Sequence, residues 1–376
     1  MKTVTFITGT RADYGKIKSL IIELQKKKIF KTNVFITGMH NIRYLGNTKD
    51  EISKDRIKNC YRFNNQKKSA TMDLILAKTI KGLNEFIHKE KADLIIVHGD
   101  RVETLAGAIV GCLNNIKVAH IEGGEISGTI DEILRHSISK LSHLHFVTNK
   151  IAKNRLIQLG EIRNNIHTIG SPDIDIILKK KLPELKLVKK RYAINFKKYG
   201  ICIFHPVTTE IKNLKFQIKL LIKVLKKSKF NYIILFPNND LGSEIILNEI
   251  KKLKKEKNSN FKILSSMRFE YYLTLLKNAN FIIGNSSSGI MEAPYYGMPT
   301  IDIGSRQKNR ANLKSIFQVD FEEKKIINLL RKFIYKKTMF LNSYHFGAGN
   351  SHKKFIKILQ SRNIWKISSQ KQFIDK

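Results

Sequence analysis

Short apolar runs alternate with longer stretches of helical periodicity almost from end to end of this chain. In the first half Val4–Thr8, Asn33–Thr37, Asp93–His98, Lys117–His120, His145–Thr148 and Ile166–Ile169 read as strands. Between them, about Tyr14–Lys27, Met72–His88, Val102–Leu113, Asp131–Leu141 and Ile151–Leu159 set apolar residues three and four apart, the spacing of an amphipathic helix. The pattern restarts with strands at 201–204, 231–236, 261–264, 281–283 and 299–303, and with helices at 212–227, 243–255, 269–277 and 287–296. Runs that are apolar at every position, such as Leu94-Ile95-Ile96-Val97, belong in a parallel sheet covered on both faces. The alternation predicts an α/β protein of two Rossmann-like, doubly wound domains whose strand-end loops face a cleft.

The turn formers Gly170-Ser171-Pro172-Asp173 and the charged, weakly periodic stretch Pro183–Lys198 mark the division. The expected domains are 1–175 and 176–360, with 361–376 crossing back onto the first. At 376 residues the chain is too long for one ordinary core, which agrees with that division.

Charge changes the picture less than its size suggests. The chain has a formal net charge of +38, but only 14 of its 69 basic residues are arginine. The lysines are scattered along helical segments, and there is no ribonucleoprotein motif, helix-turn-helix or zinc-finger spacing. They read as a solvated surface rather than a nucleic-acid site. Cys60, Cys112 and Cys202 are far apart and form no CxxC, so neither a disulfide framework nor a zinc site is expected. The first residues lack the apolar core of a signal peptide, and no segment approaches the roughly 18 apolar residues of a membrane span. A soluble, cytoplasmic protein is the expectation.

Within this basic chain, carboxylates and glycines gather between His98 and His136. The sequence reads HGDR at 98–101 and HIEGGEISGTIDEILRH at 120–136, each after an apolar run. Asp100, Glu122, Glu125 and Asp131 are therefore placed at or just past the carboxyl ends of strands, where an open α/β sheet holds its ligand. Asp100, Glu122 and Asp131 on neighbouring loops are expected to hold one carboxylate at a raised pKa to take a proton from carbon and another to return one or steer water, and Arg135, one turn beyond Asp131, can hold a carboxylate ionised or meet a leaving phosphate. Two other readings stand beside this one. Asp131 could cap a helix, and His98, His120 and His136 could bind a metal with the carboxylates, although no compact ligand spacing such as HExxH occurs.

Other strand-end loops suit an anion. Gly9-Thr10-Arg11-Ala12-Asp13 presents backbone N–H groups and the Arg11 fork at a helix start, or is a tight turn capped by Asp13. Gly284-Asn285-Ser286-Ser287-Ser288 opens another helix. There Glu292 lies one turn in, placed to accept the hydroxyls of a ribose, and Arg306 on the following loop can reach the same phosphates; the alternative is an ordinary capped helix. His205 and Asn238 end two neighbouring strands of the second half, His205 as a phosphate contact or proton carrier, Asn238 as a ligand contact or a routine turn residue.

Taken in order, GTRADYGKIKSL, TGMH, HGDR, HIEGGEISGTIDEILRHSISKLSH, IGSPD, FHPVTTE, FPNNDLG, GNSSSGIMEAP and GSRQKNR resemble the hydrolysing UDP-N-acetylglucosamine 2-epimerases of bacterial sialic acid synthesis over roughly residues 1–310. The resemblance implies a glycosyltransferase-B-like fold, no redox cofactor or metal, and a homodimer or homotetramer. It implies acid/base roles for Asp100, Glu122 and Asp131 with Arg135 and His205 in support. It also implies that Arg11, Asn238, Ser286, Ser287, Glu292 and Arg306 hold UDP, with Arg101 near the sugar phosphate. Non-hydrolysing relatives carry GTRPE and HGDT where this chain has GTRAD and HGDR, which implies the hydrolysing branch. Two rivals remain at this point: the same chemistry on a 2,4-diacetamido-2,4,6-trideoxy sugar of legionaminic acid synthesis, and a glycosyltransferase of the same fold.

Overall fold

The structure is a computed structural model, and it describes every residue except 42–48, 67–69, 129, 179–181, 239, 257–258, 336–337, 373 and 375–376, together with the side chains of 11, 12 and 49–51. The chain forms two compact units. The first comprises Met1–Glu125, Asp131–Lys179 and His345–Lys376; the second comprises Ile126–Ile130 and Lys180–Tyr344. The return to the first unit thus begins at His345, earlier than the expected 361, and a five-residue insert before Asp131 packs with the second unit.

In the first unit, strands β1 (Lys2–Thr8), β2 (Phe30–Ile36), β3 (Cys60–Arg62), β4 (Leu94–His98), β5 (Lys117–Ile121), β6 (Leu144–Val147) and β7 (Ile166–Thr168) form one sheet. Its order is β3-β2-β1-β4-β5-β6-β7, and every pairing is parallel. Helices α1 (Arg11–Gln25), α2 (Lys49–Lys54), α3 (Met72–Glu90), α4 (Val102–Leu113), α5 (Ile130–Leu141), α6 (Lys150–Gln158) and α7 (Pro172–Ile177) follow the strands. Successive strand side chains point to opposite faces. Val4, Phe6, Leu94 and Ile96 accordingly pack with Tyr14, Ile17 and Leu20 of α1 on one face, whereas Ile7, Ile95 and Val97 pack with Leu83, Phe86 and Ala108 of α3 and α4 on the other.

The second unit repeats the plan. It starts with α8 (Leu185–Tyr192) and then β8 (Gly200–Ile203), α9 (Ile211–Lys227), β9 (Tyr232–Leu235), α10 (Ser243–Lys255), β10 (Phe261–Leu264), α11 (Phe269–Asn278), β11 (Ile282–Gly284), α12 (Ser287–Met291), β12 (Thr300–Ile303), β13 (Ile316–Val319) and α13 (Glu323–Ile334). Its parallel sheet runs β10-β9-β8-β11-β12-β13. The expected helix over 287–296 is broken. Helix α12 stops at Met291, and Ala293–Tyr296 tightens into a 3-10 turn because Pro294 supplies no backbone N–H. Among the described residues no helix is long and apolar enough to cross a membrane.

The chain then returns as α14 (Ser351–Gln360) and α15 (Arg362–Trp365). Phe355 of α14 is fully buried, with its ring 6.2 Å from Phe6 and 4.9 Å from Phe146, so this helix belongs to the core of the first unit. Asp175 of α7 accepts from the backbone N–H groups of Ser351 and His352 and pairs with the His352 ring, which ties the helix start in place.

Candidate active site

In each sheet the winding direction reverses between the first strand and the strand three crossovers later, and ligands of open α/β sheets bind at that reversal. In the first unit the reversal lies between β1 and β4, and in the second between β8 and β11. The singled-out motifs fall at these two points.

In the first unit, the β1–α1 turn brings Asp13 against His98 at the end of β4. Asp13 Oδ1 lies 3.0 Å from His98 Nδ1, and its other oxygen accepts the Gly9 N–H. Helix α1 is capped by Thr10, whose hydroxyl accepts the Asp13 N–H. Asp13 is thus released from the capping role and serves the histidine. The other ring nitrogen of His98 lies 3.3 Å from Glu122.

Glu122 follows β5 with a left-handed backbone, φ 63°, a conformation that costs a residue with a Cβ free energy and persists only where its surroundings fix it. They do so here. Its N–H donates to Phe146 O, its carbonyl accepts from Arg135 Nη1 at 3.0 Å, and its carboxylate accepts the Ser171 hydroxyl. Arg135, buried on α5, forms an ion pair with Asp100 through its second terminal nitrogen. One guanidinium therefore fixes both Asp100 and the backbone of Glu122. Asp131 lies inside the first turn of α5, one turn before Arg135, and is not its cap. Glu125 is buried and accepts from Thr148.

The charges follow from this packing. Burial alone lowers the His98 pKa, but the Glu122 carboxylate and the Asp13 hydrogen bond more than reverse that and raise it to about 9. Burial likewise raises the Glu122 carboxyl, yet Lys16, His98 and the Ser171 hydroxyl hold it well below the usual carboxylate range. The site is a buried carboxylate–imidazolium–carboxylate chain beside an Arg–Asp pair. Glu122 is therefore ionised and able to accept a proton, but its carboxyl is held below rather than above the usual range, the reverse of the raised base expected from the sequence, because the imidazolium, Lys16 and Ser171 outweigh burial.

His120 is pushed the other way, to about 3, chiefly by burial. Its ring contacts Ser139 Oγ at 2.9 Å and Gly99 O at 2.7 Å, and His136 contacts Glu132 one turn earlier on α5. The three histidines weighed as ligands thus serve three separate ends, and no group of three or more His, Cys, Asp or Glu among the described residues is placed to hold a metal ion.

In the second unit Asn285 and His205 exchange hydrogen bonds across β11 and β8, His205 N–H to Asn285 Oδ1 at 2.7 Å and Asn285 Nδ2 to His205 O at 2.9 Å. The backbone N–H of Asn238 donates to His205 Nδ1 at 3.1 Å. That bond leaves the proton of a neutral ring on Nε2, as a donor. Gly284 precedes this turn at φ +133°, and a Cβ there would overlap the Ile203 carbonyl. Ser286 caps α12 by accepting the Ser288 N–H, and Ser287 is the first residue of that helix. Arg306 is buried and donates to Asn285 O at 3.4 Å, beside Gln307 on the same carbonyl. Glu292 is buried near Tyr272 and Tyr296, whose phenols burial and this carboxylate raise.

The candidate residues thus form two groups: Asp100, Glu122, Asp131 and Arg135 in the first unit, and His205, Asn238, Ser286, Ser287, Glu292 and Arg306 in the second. The side chain of Arg11 lies outside the described residues. Arg101 has its Nε 3.4 Å from Glu103 Oε2. Sequence reasoning weighs Asp13 as a helix cap and His98 as a metal ligand rather than as partners in this chain of contacts, and it gives no role to Lys16, Ser171 or Asn285. His98 immediately precedes Gly99-Asp100, and its position as the last residue of a strand was the available signal.

Comparison with known proteins decides the family, because the profile described as UDP-N-acetylglucosamine 2-epimerase matches residues 22–360. The chain belongs to the UDP-N-acetylglucosamine 2-epimerase family. It is 43% identical to a UDP-N-acetylglucosamine 2-epimerase of Neisseria meningitidis serogroup B, over 100% of this chain and 99% of the relative. It is 32% identical to the hydrolysing UDP-N,N'-diacetylbacillosamine 2-epimerase of Legionella pneumophila, over 96% of each. The UDP-N-acetylglucosamine 2-epimerase of Methanocaldococcus jannaschii, solved with UDP-N-acetylglucosamine and UDP, superposes with a TM-score of 0.81 at 24% identity, covering 95% of this chain and 99% of that one. The epimerase fold is thus glycosyltransferase-B-like, built of two parallel-sheet α/β units.

Proposed function

We propose that this epimerase is of the hydrolysing type and converts UDP-N-acetylglucosamine and water into N-acetylmannosamine and UDP, for sialic acid synthesis. The observation that carries the reading is geometric: one buried guanidinium, Arg135, fixes both the Asp100 carboxylate and the backbone of Glu122, which puts two carboxylates side by side for proton transfer. A base removes the C2 proton, its electron pair forms the C1–C2 double bond, and the C1–O bond breaks as UDP departs. Water then adds across the double bond, the hydroxyl to C1 and a proton to C2 from the opposite face. Asp100, Glu122 and Asp131 divide the proton transfers, and Arg135 keeps Asp100 and Glu122 in position. UDP leaves as a polyanion, and His205, Arg306, Arg11 and the Ser286-Ser287 turn stabilise that charge, with Glu292 on the ribose. HGDR and GTRAD, in place of HGDT and GTRPE, support the hydrolysing branch.

The L. pneumophila relative favours one competing substrate, the 2,4-diacetamido-2,4,6-trideoxy sugar. Proton NMR of the purified enzyme in D2O with each nucleotide sugar separates the two. The expected result is free N-acetylmannosamine deuterated at C2, with UDP. Turnover of the diacetamido substrate alone would move the substrate assignment, epimerised sugar still attached to UDP would overturn the hydrolytic step, and no turnover of either would reopen a transferase reading. The variant Asp100→Asn should lose turnover while retaining UDP binding in calorimetry.

A further inference from the structure

Glu103 is a buried carboxylate that the catalytic network leaves unused. This residue, in the first turn of α4, is 2% exposed, and its Oε2 has no hydrogen-bond partner among the described residues. It lies behind Gly9 of the β1 turn and Gly38 after β2. A Cβ at Gly9 would sit 2.9 Å from the Glu103 Cδ, and one at Gly38 would lie 2.5 Å from its Oε1. Three separate sequence motifs, GTRAD, TGMH and HGDR, therefore meet on this one side chain. The two glycines leave the room that it occupies.

A buried carboxylate needs a compensating charge. Among the described residues a cation beside it is Arg101, whose Nε lies 3.4 Å from Glu103 Oε2 and whose side chain is 22% exposed. Arg101 stands at the N-cap position of α4 yet makes no side-chain cap hydrogen bond. Among the described residues, nothing lies within 4 Å of a Cβ built on the adjoining Gly99. The arginine thus has its inner edge against a fixed anion and stands next to a turn that opens outward.

We infer that Glu103 is the positioning residue for Arg101: it orients the guanidinium so that the outer edge meets a phosphate of the nucleotide sugar. Glu103 itself touches no substrate. The inference rests on the nucleotide-sugar reading above, and it gives the TGMH motif a purpose, since Gly38 makes room for the anchor of Arg101.

The test is a double-mutant cycle on UDP affinity, measured by calorimetry, with thermal unfolding as the folding control. Arg101→Ala should weaken UDP about tenfold, the scale of one charge-assisted phosphate contact. Glu103→Gln preserves the volume, removes the charge, and should weaken UDP about fivefold with a matching rise in KM and a smaller change in kcat. If Glu103 acts through Arg101, the double variant binds no worse than Arg101→Ala alone. Additive losses would overturn the inference, as would unchanged affinity in Glu103→Gln. Unchanged affinity in Arg101→Ala would instead remove Arg101 from the phosphates and leave the epimerase reading intact. Gly9→Ala offers a second route. It should mimic Glu103→Gln in the parent enzyme and have no effect in a Glu103→Ala background, whereas equal effects in both would show that the glycine does not serve Glu103.

Discussion

Replacing His98 by Asn removes the cation between Asp13 and Glu122 and leaves Glu122 buried with Lys16 and Arg135 as positive neighbours. Two unit charges about 4 Å apart are worth about 4 kcal/mol at an effective dielectric constant of about 20, which corresponds to about three pKa units. With Lys16 and Arg135 still present, the Glu122 pKa should rise by about one to two units. The acid limb of kcat/KM reports groups that must be ionised in the free enzyme, so it should move upward by the same amount. Stability changes with a definite sign. The folded pKa of His98 is raised from 6.5 to about 9, so its contribution is fully present below pH 6.5 and is lost as pH rises through about 9. That shift corresponds to about 3 kcal/mol. Urea unfolding at pH 6 and pH 9 should show the parent losing stability across this window and His98→Asn losing much less. An acid limb that stays in place in a folded His98→Asn enzyme would refute the argument that His98 keeps Glu122 ionised.

Three further outcomes are expected. Arg135→Met should lower kcat by at least about 100-fold and destabilise the fold by about 3 kcal/mol, because Asp100 and the Glu122 carbonyl lose one shared partner; calorimetric UDP binding should persist. Asp302 is raised from 3.8 to about 7 by burial, against the pull of Arg306 and Arg310, so the native state binds its proton more tightly and stability falls as pH rises from about 4 through 7. Asp302→Asn should therefore unfold at a higher temperature than the parent at pH 8 and show little gain at pH 4. Phe355→Ala should cost about 3–5 kcal/mol in denaturant unfolding of the first unit, as for a core aromatic.

What the sequence disclosed and what it hid divide along burial. Strands such as β4 and β8 are buried on both faces, so their residues form unbroken apolar runs. Edge strand β3 is exposed at all three positions and carries no pattern to read. Helix α7 was hidden for a different reason: Gly170-Ser171-Pro172-Asp173 has turn composition, but a serine at the N-cap with proline at the first helical position also starts a helix. Helix α8 buries only Val188, which explains its weak periodicity. In the site, Asp100, Glu122 and Arg135 stand out as acidic and basic residues in glycine-rich loops. The Asp13–His98 contact joins residues 85 apart through the strand order of the sheet, and spacing along the chain does not encode that order. Lys16, Ser171 and Glu103 look like ordinary helix and turn residues until burial shows which charges they face.

The late return of the chain has a consequence for how the protein is made. Helix α14 supplies Phe355, Ile356 and Leu359 to the core of the first unit, yet it is synthesised after the whole of the second. On the ribosome the second unit can complete its own core while the first still lacks a wall, with Phe6 and Phe146 open to water. The part of the protein translated first is therefore the part that finishes folding last, and during that interval it depends on avoiding aggregation. Expressing residues 1–179 alone should give a sticky, incompletely packed fragment, rescued by adding the 345–376 segment in trans.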